Sequence, residues 1–572
     1  LKKIRLDRFA THENRWWALV VIALGLAIVI IDNTVLNVSI PYILRDLHTA
    51  FASVEWVISG YSLTIATVLI TVGRLGDMWG RRRMFRLGIV TFAVGSFIGS
   101  VAPSAAQLIV GRAIIQALGA AMTLTSALAL LASEFQGKER AIAFGIWGAI
   151  AGASATVGPL LGGYLTTNFS WRWSLRINVV VGLAALIGSV FIIKSRGKQE
   201  HGFDWWGVLL SGTGLFSIVF GFIQGRQYGW PVPRKTLSIL GIAWPFSSVS
   251  VVPVLFGIGT ICILLFILRE RHLERTGGTP LLRLSMFSSR GFSLGLTTLA
   301  ILAFGQFGVF FILPIYLENV LGLNALQTGV AFLPASVSLL LAGSGSGFLA
   351  NKINIKWVVV IGMISLSVGI FFLIPTITVN ATPVTFIPAL VLFGIGFGLG
   401  SAQMNNIIIS SAPLEVAGEA SASSTTARQV GASIGVAIVG AVLAVSLLNN
   451  MTRNIQADQA IPPAVKSQLV DQLKHVDIES GQFGHPRGIP QQIADAMDQD
   501  IKHAIVQSGK ESMRMGFYFI LLGTALSFFL PLYREDDSGA PPNDPVKKQQ
   551  HETTARPDVS GNFTACPDTS GN

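Results

Sequence analysis

Four places in the chain set a charged or conformationally restricted residue inside apolar sequence, and each suggests its own chemistry. Asp32 lies in VIIDNTVLNVSIP, residues 29–41. If a helix starts near Trp16, Asp32 falls roughly 24 Å along it at 1.5 Å per residue. That is the middle-to-outer part of a ~30 Å hydrocarbon core. A carboxylate there is costly in lipid, so it is expected to face other helices and to exchange a proton when one side of the bundle is wetted. The alternative is a structural aspartate bonded to Asn33, Thr34 or a neighbouring helix. Arg112, in GRAIIQALGAA (residues 111–121), either snorkels to the interface or turns inward to a carboxylate, with Asp32 the obvious partner.

The sequence GRLGDMWGRRR, residues 73–83, joins glycines that permit a tight turn to an acid at a helix C-terminus. A negative charge there opposes the helix dipole, so Asp77 needs a cation or the N-terminus of another helix. A contact of that kind, made in one conformer and broken in another, is a latch, with Gly73, Asp77, Gly80, Arg81 and Arg82 as its parts. The plainer reading of the arginines is that they mark a cytoplasmic loop. In GIWGAIAGASATVGPLLGG, residues 145–163, small residues recur every four positions and allow backbone-to-backbone helix packing. Pro159 removes one helical hydrogen bond and bends the chain. Gly145, Ser154, Gly158, Gly162 and Gly163 complete that cluster. Asn33, Gln306, Gln403 and Asn405 are polar groups in apolar runs, either lining a substrate cavity or bonding helix to helix. Glu55 and Glu318 fall at helix ends and read as interfacial groups.

The elements that position these residues must lie in lipid. Of 572 residues, 51% are apolar and 12% charged, with mean hydropathy +0.60, against about 25% charged in soluble domains. Apolar runs of spanning length give about fourteen helices, near 16–40, 54–73, 84–102, 106–131, 141–165, 174–194, 204–224, 250–268, 291–315, 326–348, 356–376, 383–407, 428–448 and 515–533. The eighth is the least regular, because 235–268 is too long for one span and contains Pro245 and Pro253. With an even count and the N-terminus inside, inner loops carry roughly 20 Lys and Arg and outer loops about six. Both termini are therefore expected in the cytoplasm.

The net charge of +11 sits in these loops, so nucleic acid is not an expected partner. Two cysteines, Cys262 and Cys566, make neither a disulfide frame nor a metal cluster. None of the eight histidines falls in a span, and Gly509-Lys510-Glu511-Ser512 lacks the upstream glycine of a phosphate loop. The first apolar run is too long for a cleavable signal; the chain begins with Leu1, and an upstream start is expected.

The expected organisation is a cytoplasmic N-terminus (1–15), a six-helix bundle (16–194), two inserted helices (195–275), and a second six-helix bundle (276–533) with an external loop at 449–514. That loop holds an amphipathic stretch near 493–506. A disordered cytoplasmic tail (534–572) ends in the near-duplicates ARPDVSGN and ACPDTSGN. A weak repeat, GFLANKINIK at 347–356, echoes 73–83 and fits parallel halves with a substrate site between them.

Together these segments resemble the major facilitator superfamily, in its fourteen-helix drug:proton antiporter branch of QacA/EmrB-like multidrug exporters. Residues 73–83 match the loop motif GxLaDrxGrkr nearly position for position, and 32–41 resemble lDxTivnvAlP. Residues 145–163 resemble the helix 5 antiporter motif, with Ser154 where that motif has glycine. Arg112, Gly119 and Ala120 resemble the helix 4 motif, with Gln116 one place later than in its RxxQG form. Residues 280–284 and Arg428–Gly431 also fit, so the likeness covers roughly 15–533.

The resemblance implies an all-α major-facilitator fold of two six-helix bundles plus two inserted helices. It implies alternating access, proton coupling at Asp32 with Arg112, a latch at Asp77 and an antiporter role for Gly158 and Pro159. The expected activity is export of small lipophilic or monocationic drugs and dyes across the cytoplasmic membrane, by a monomeric carrier with no cofactor beyond the proton gradient. Helices 10 to 13 lack the further acids of some cation exporters, which argues against divalent cationic cargo. A dedicated exporter of one metabolite, lipid or siderophore is the nearest alternative; an uptake symporter fits the helix 5 pattern less well, and a receptor or enzyme lacks supporting motifs.

Overall fold

The computed structural model describes residues 15–49, 51–192, 202–230, 238–239, 242–243, 250–457, 466 and 491–532. The N-terminal half is built from α1 (Arg15–Asp46), α2 (Phe51–Trp79), α3 (Arg81–Ser100), α4 (Ala105–Glu134), α5 (Gly137–Asn168) and α6 (Trp171–Gly188). Two further helices follow, α7 (Trp205–Tyr228) and α8 (Val251–Thr276). The C-terminal half comprises α9 (Arg290–Asn319), α10 (Leu333–Ala350) with its short lead-in helix Ala325–Ala331, α11 (Ile355–Thr376), α12 (Ile387–Ser410), α13 (Ala417–Ala457) and α14 (Gln491–Ser527). Between α7 and α8, β1 (Ser238–Ile239) pairs antiparallel with β2 (Ile242–Ala243).

Among the described residues, eleven helices are long and apolar enough to cross a membrane. The ones outside that group are α3, which starts on Arg81–Arg83, α5, with Lys138, Glu139 and Arg140 in its first turns, and α14, whose first half is polar. Large apolar side chains such as Val180, Ile187, Leu341 and Phe372 are exposed on the outer faces. In a bilayer those faces meet lipid, which is why the helices need no water-facing polar side.

Several boundaries differ from the hydropathy reading. The eighth helix runs to Thr276, because Arg269–Arg275 continue as helix beyond the apolar run. α13 continues to Ala457 and α14 begins at Gln491, so both ends of the expected 449–514 loop are helical. These extensions bond to each other, Asn450 to Ser508 at 3.1 Å and Asn454 to the Asp500 carbonyl at 3.2 Å. Hydropathy registers contact with lipid, whereas helix continues wherever packing and backbone bonding do. The tail at 534–572, with Cys566, lies outside the described residues, as do residues 1–14.

The C-terminal half shares one apolar core, with Phe292, Tyr316, Phe386 and Phe393 fully buried. In the N-terminal half Phe85, Phe92, Phe144 and Trp147 play that part. α7 and α8 pack on each other, and α7 packs against α2 through Trp56 and Phe220, whose rings are 5.8 Å apart. At the end of α1, Asp46 accepts hydrogen bonds from Trp171 (3.0 Å) and Arg172 of α6. Those bonds hold its carboxyl below the usual range and fix α1 to α6 at the end away from Asp77.

Candidate functional site

Five helices converge on Asp32, which is 1% exposed. Arg112 of α4 donates one guanidinium nitrogen to Asp32 Oδ2 and another to its backbone carbonyl at 3.4 Å. Asn178 of α6 donates to Asp32 Oδ1 at 2.5 Å, and its amide also reaches Ser96 Oγ of α3 at 3.3 Å. The Arg112 guanidinium lies 4.7 Å over the ring of Tyr61 from α2, a cation–π contact that offsets part of its desolvation. Of the two sequence readings of Arg112, the inward one holds: the side chain is fully buried. Taking either partner from a buried pair leaves an uncompensated charge, typically a 3–5 kcal/mol loss.

The local conformation of α4 explains how Arg112 reaches this point. Ile109–Gln116 is π-helical inside an otherwise α-helical rod. A π turn takes in one extra residue without rotating the helix on either side. The extra place between Arg112 and Gln116, which sets this sequence apart from the RxxQG spacing, falls in that segment. Close packing fixes the segment against α3, because a Cβ at Gly95 would stand 2.6 Å from the Gly111 carbonyl oxygen. Gln116 is buried beside it with neither side-chain polar atom bonded.

The small-residue stripe of α5 backs onto α1 at the same level. A Cβ at Gly158 would overlap the Thr34 side chain, and one at Gly162 would stand 2.7 Å from the Val35 carbonyl. Ser154 is buried and Gly163 faces open space; the helix runs unbroken through position 159. Gly145 serves another interface, against Gly343 of α10 in the other half, where a Cβ would stand 2.6 Å from the carbonyl oxygen.

Asp77 sits at the joint between halves. Its Oδ1 accepts the Gly418 N–H and its Oδ2 the Glu419 N–H, both at 3.1 Å, so the carboxylate caps the N-terminus of α13. Arg81 holds Oδ1 from its own side at 3.1 Å. Arg74 pairs with Glu419 at 2.9 Å with both side chains almost completely buried. A Cβ at Gly73 would stand 2.8 Å from the Gly418 carbonyl, so glycine is what lets α2 approach α13. Gly80 turns the chain into α3 with φ 96°, a region that favours glycine. Arg82 is buried and reaches the Val190 carbonyl of the same half at 3.4 Å.

The echo of this motif occupies the matching joint. A Cβ at Gly347 of α10 would stand 2.6 Å from the Ala141 carbonyl of α5.

Other expected residues divide. Gln403 and Asn405, read as either cavity-lining groups or links between helices, are both buried in a network that ties helices together. Gln403 donates to Ser346 of α10 (2.9 Å) and to the Ala141 carbonyl of α5 (3.3 Å), and Asn405 accepts from Ser424 of α13 at 2.5 Å. Asn33 and Gln306 are half-buried with no hydrogen-bond partner among the described residues. A cleft of about 380 Å³ lies elsewhere, lined by Asn454, Asp500, His503 and Gln507 in the α13–α14 extensions. Among the described residues no cluster of His, Cys, Asp and Glu could hold a metal. Asn178 and Glu419 were not anticipated from sequence. The signal for Glu419 was the need of buried Arg74 for an anion.

Comparison with known proteins agrees with this architecture. The family model described as Major Facilitator Superfamily matches residues 22–436. The chain is 33% identical over 433 residues to the tetracenomycin C resistance and export protein of Streptomyces glaucescens, covering 75% of this chain and 76% of that one. It is 29% identical over 464 residues to the multidrug resistance protein Stp of Mycobacterium tuberculosis, covering 80% and 82%. The crystal structure of the human organic anion transporter MFSD10 superposes with TM-score 0.55 at 10% identity, covering 90% of this chain and 99% of that one, which shows the fold. Two helical halves joined at paired glycine contacts, a multi-span apolar surface and a family match over most of the length lead to one assignment: the chain is a membrane transporter of the Major Facilitator Superfamily.

Proposed function

We propose that the protein is a proton-coupled antiporter that exports small lipophilic compounds, drugs or dyes among them, across the cytoplasmic membrane by alternating access. The observation that carries this reading is Asp32, dry and held by Arg112 and Asn178. A carboxylate whose partners come from α4 and α6 takes up a proton when those helices shift and returns it when they close. The Asp77–α13 contact supplies the second requirement, a joint between halves that can be made or broken. Fourteen crossings with both termini inside, a monomeric carrier and no cofactor beyond the proton gradient belong to the same reading. The resistance and export functions of the relatives support it. Those relatives include both a one-compound exporter and a multidrug protein, and a broad resistance panel separates the two breadths.

The test compares wild type with Asp32→Asn in proteoliposomes. Asp32→Asn is expected to lose gradient-driven transport and substrate-induced proton release while retaining counterflow of labelled substrate. Uphill transport at the wild-type rate would refute the coupling role.

A further inference from the structure

α13 carries a second deep cation that the proton site and the latch leave unused. Arg428 is the eleventh residue after Ala417, roughly 16 Å into the helix at 1.5 Å per residue. It lies between the halves, its guanidinium 5.7 Å over the Trp147 ring of α5. Three other buried arginines have carboxylates: Arg112 has Asp32, Arg74 has Glu419 and Arg81 has Asp77. Among the described residues Arg428 has neither a carboxylate nor a hydrogen-bond acceptor. The acids of the joint are already engaged: Glu419, the acid of the first four turns of α13, is bound to Arg74, and Asp77 of α2 is bound to Arg81.

The burial pattern along α13 shows what reaches this position. Residues 417–425 are all buried in the joint between halves, and 426–430 are all partly accessible. Arg428 therefore stands just where the fully buried part of α13 gives way to a partly accessible one, with the buried Trp147 ring beneath its guanidinium. Snorkelling cannot relieve the charge, since the other half rather than lipid faces it. An unpaired guanidinium at this depth is costly, and an incoming anion removes that cost.

We propose that Arg428 forms the recognition point for an organic acid, the guanidinium binding its carboxylate while the buried Trp147 indole beneath holds the guanidinium in place. The proposal rests on the exporter reading for the ligand's role as cargo and narrows the substrate class of the same crevice. It also sets aside monocationic cargo, which would meet the charge of Arg428.

The test uses the full chain in nanodiscs with no ion gradient, so that binding is read apart from transport and coupling. Three probes share one fluorophore: N-dansylglycine (anionic), its neutral amide, and cationic dansylcadaverine. Wild type is expected to bind the acid at least about ten-fold tighter than the amide or the amine, as loss of a charge-assisted bond implies. Arg428→Gln is expected to weaken the acid by a similar factor and to leave the amide unchanged, which also shows that the variant is folded. Arg428→Lys is expected to restore part of the preference. Equal affinity for the three probes, no saturable binding of the acid, or an equal loss of all three in Arg428→Gln would overturn the proposal. Failure of proton coupling at Asp32 would leave this binding result standing, so the two readings fail separately.

Discussion

A buried carboxylate serves a carrier only if its partners can both hold it and release it. Arg112 does the holding through charge, and Asn178 adds a neutral donor from a different helix. A hydrogen bond to a charged group contributes about 1.5–3 kcal/mol, and 1.4 kcal/mol is a factor of ten. Asn178→Ala is therefore expected to reduce gradient-driven transport about ten-fold or more. Ser96→Ala, which removes only a contact to Asn178 itself, is expected to do much less. Transport rates in inside-out vesicles at fixed pH gradient check this, and equal effects of the two substitutions would remove Asn178 from the coupling site. Asp32 and Arg112 were legible in the sequence because a charge in an apolar run is conspicuous, and Asp77 because an acid at a helix end among glycines and arginines needs a partner. Asn178 was not, since one amide in such a run reads as packing and its partner lies 146 residues away. Gln403 and Asn405 show the converse. Sequence cannot say whether an intramembrane amide faces a cavity or another helix, and here both face helices.

At the scale of the element, α4 holds the clearest link between sequence and shape. The one-residue excess between Arg112 and Gln116 was visible as a departure from spacing, but its consequence was not, because periodicity cannot tell a shifted face from an absorbed residue. The π segment Ile109–Gln116 absorbs it. Deleting Ile115 is accordingly expected to convert that turn to α-helix while keeping Arg112 and Gln116 on their present faces. The protein should fold and retain export. Deleting Leu128, in the α-helical part of the same rod, would rotate every later residue by roughly 100° and is expected to abolish both. Expression, elution profile and transport of the two deletions decide the matter; equal damage would show that the π turn does not take up the extra residue. Helix positions were largely readable from hydropathy. The polar first half of α14 was readable only as an amphipathic stretch near 493–506, not as part of the spanning helix, because bonds to α13 rather than lipid hold it.

At the scale of the molecule, the proposed alternating access makes this structure one member of a pair of states, and the Asp77 contact is expected to set how much of it is populated. Asp77 satisfies two backbone N–H groups of α13, Arg74 satisfies Glu419, and Glu419 also accepts the Arg283 N–H at 2.9 Å from the segment that enters the second half. Breaking the joint would expose all of these at once, so it is expected to act as a two-state element rather than a graded one. Asp77→Asn keeps the size of the side chain but removes its charge, and with it the attraction to the α13 dipole and the full strength of two charge-assisted bonds. A loss of about 1.5–3 kcal/mol from the latched state alone moves the equilibrium about ten- to hundred-fold toward the open one. Spin labels on cysteines replacing Trp79 and Trp357, both exposed and in opposite halves, report the separation at this end, in a background with Cys262→Ser and Cys566→Ser. In wild type a single short distance is expected to dominate, and Asp77→Asn is expected to add a longer one of comparable or greater weight. Gly73→Val should act in the same direction by steric means, since a side chain there meets Gly418 and Ala422. If both variants kept the wild-type distribution, the Asp77 contact would be packing within a rigid bundle, and alternation between states would have to be controlled at the α5–α10 joint instead.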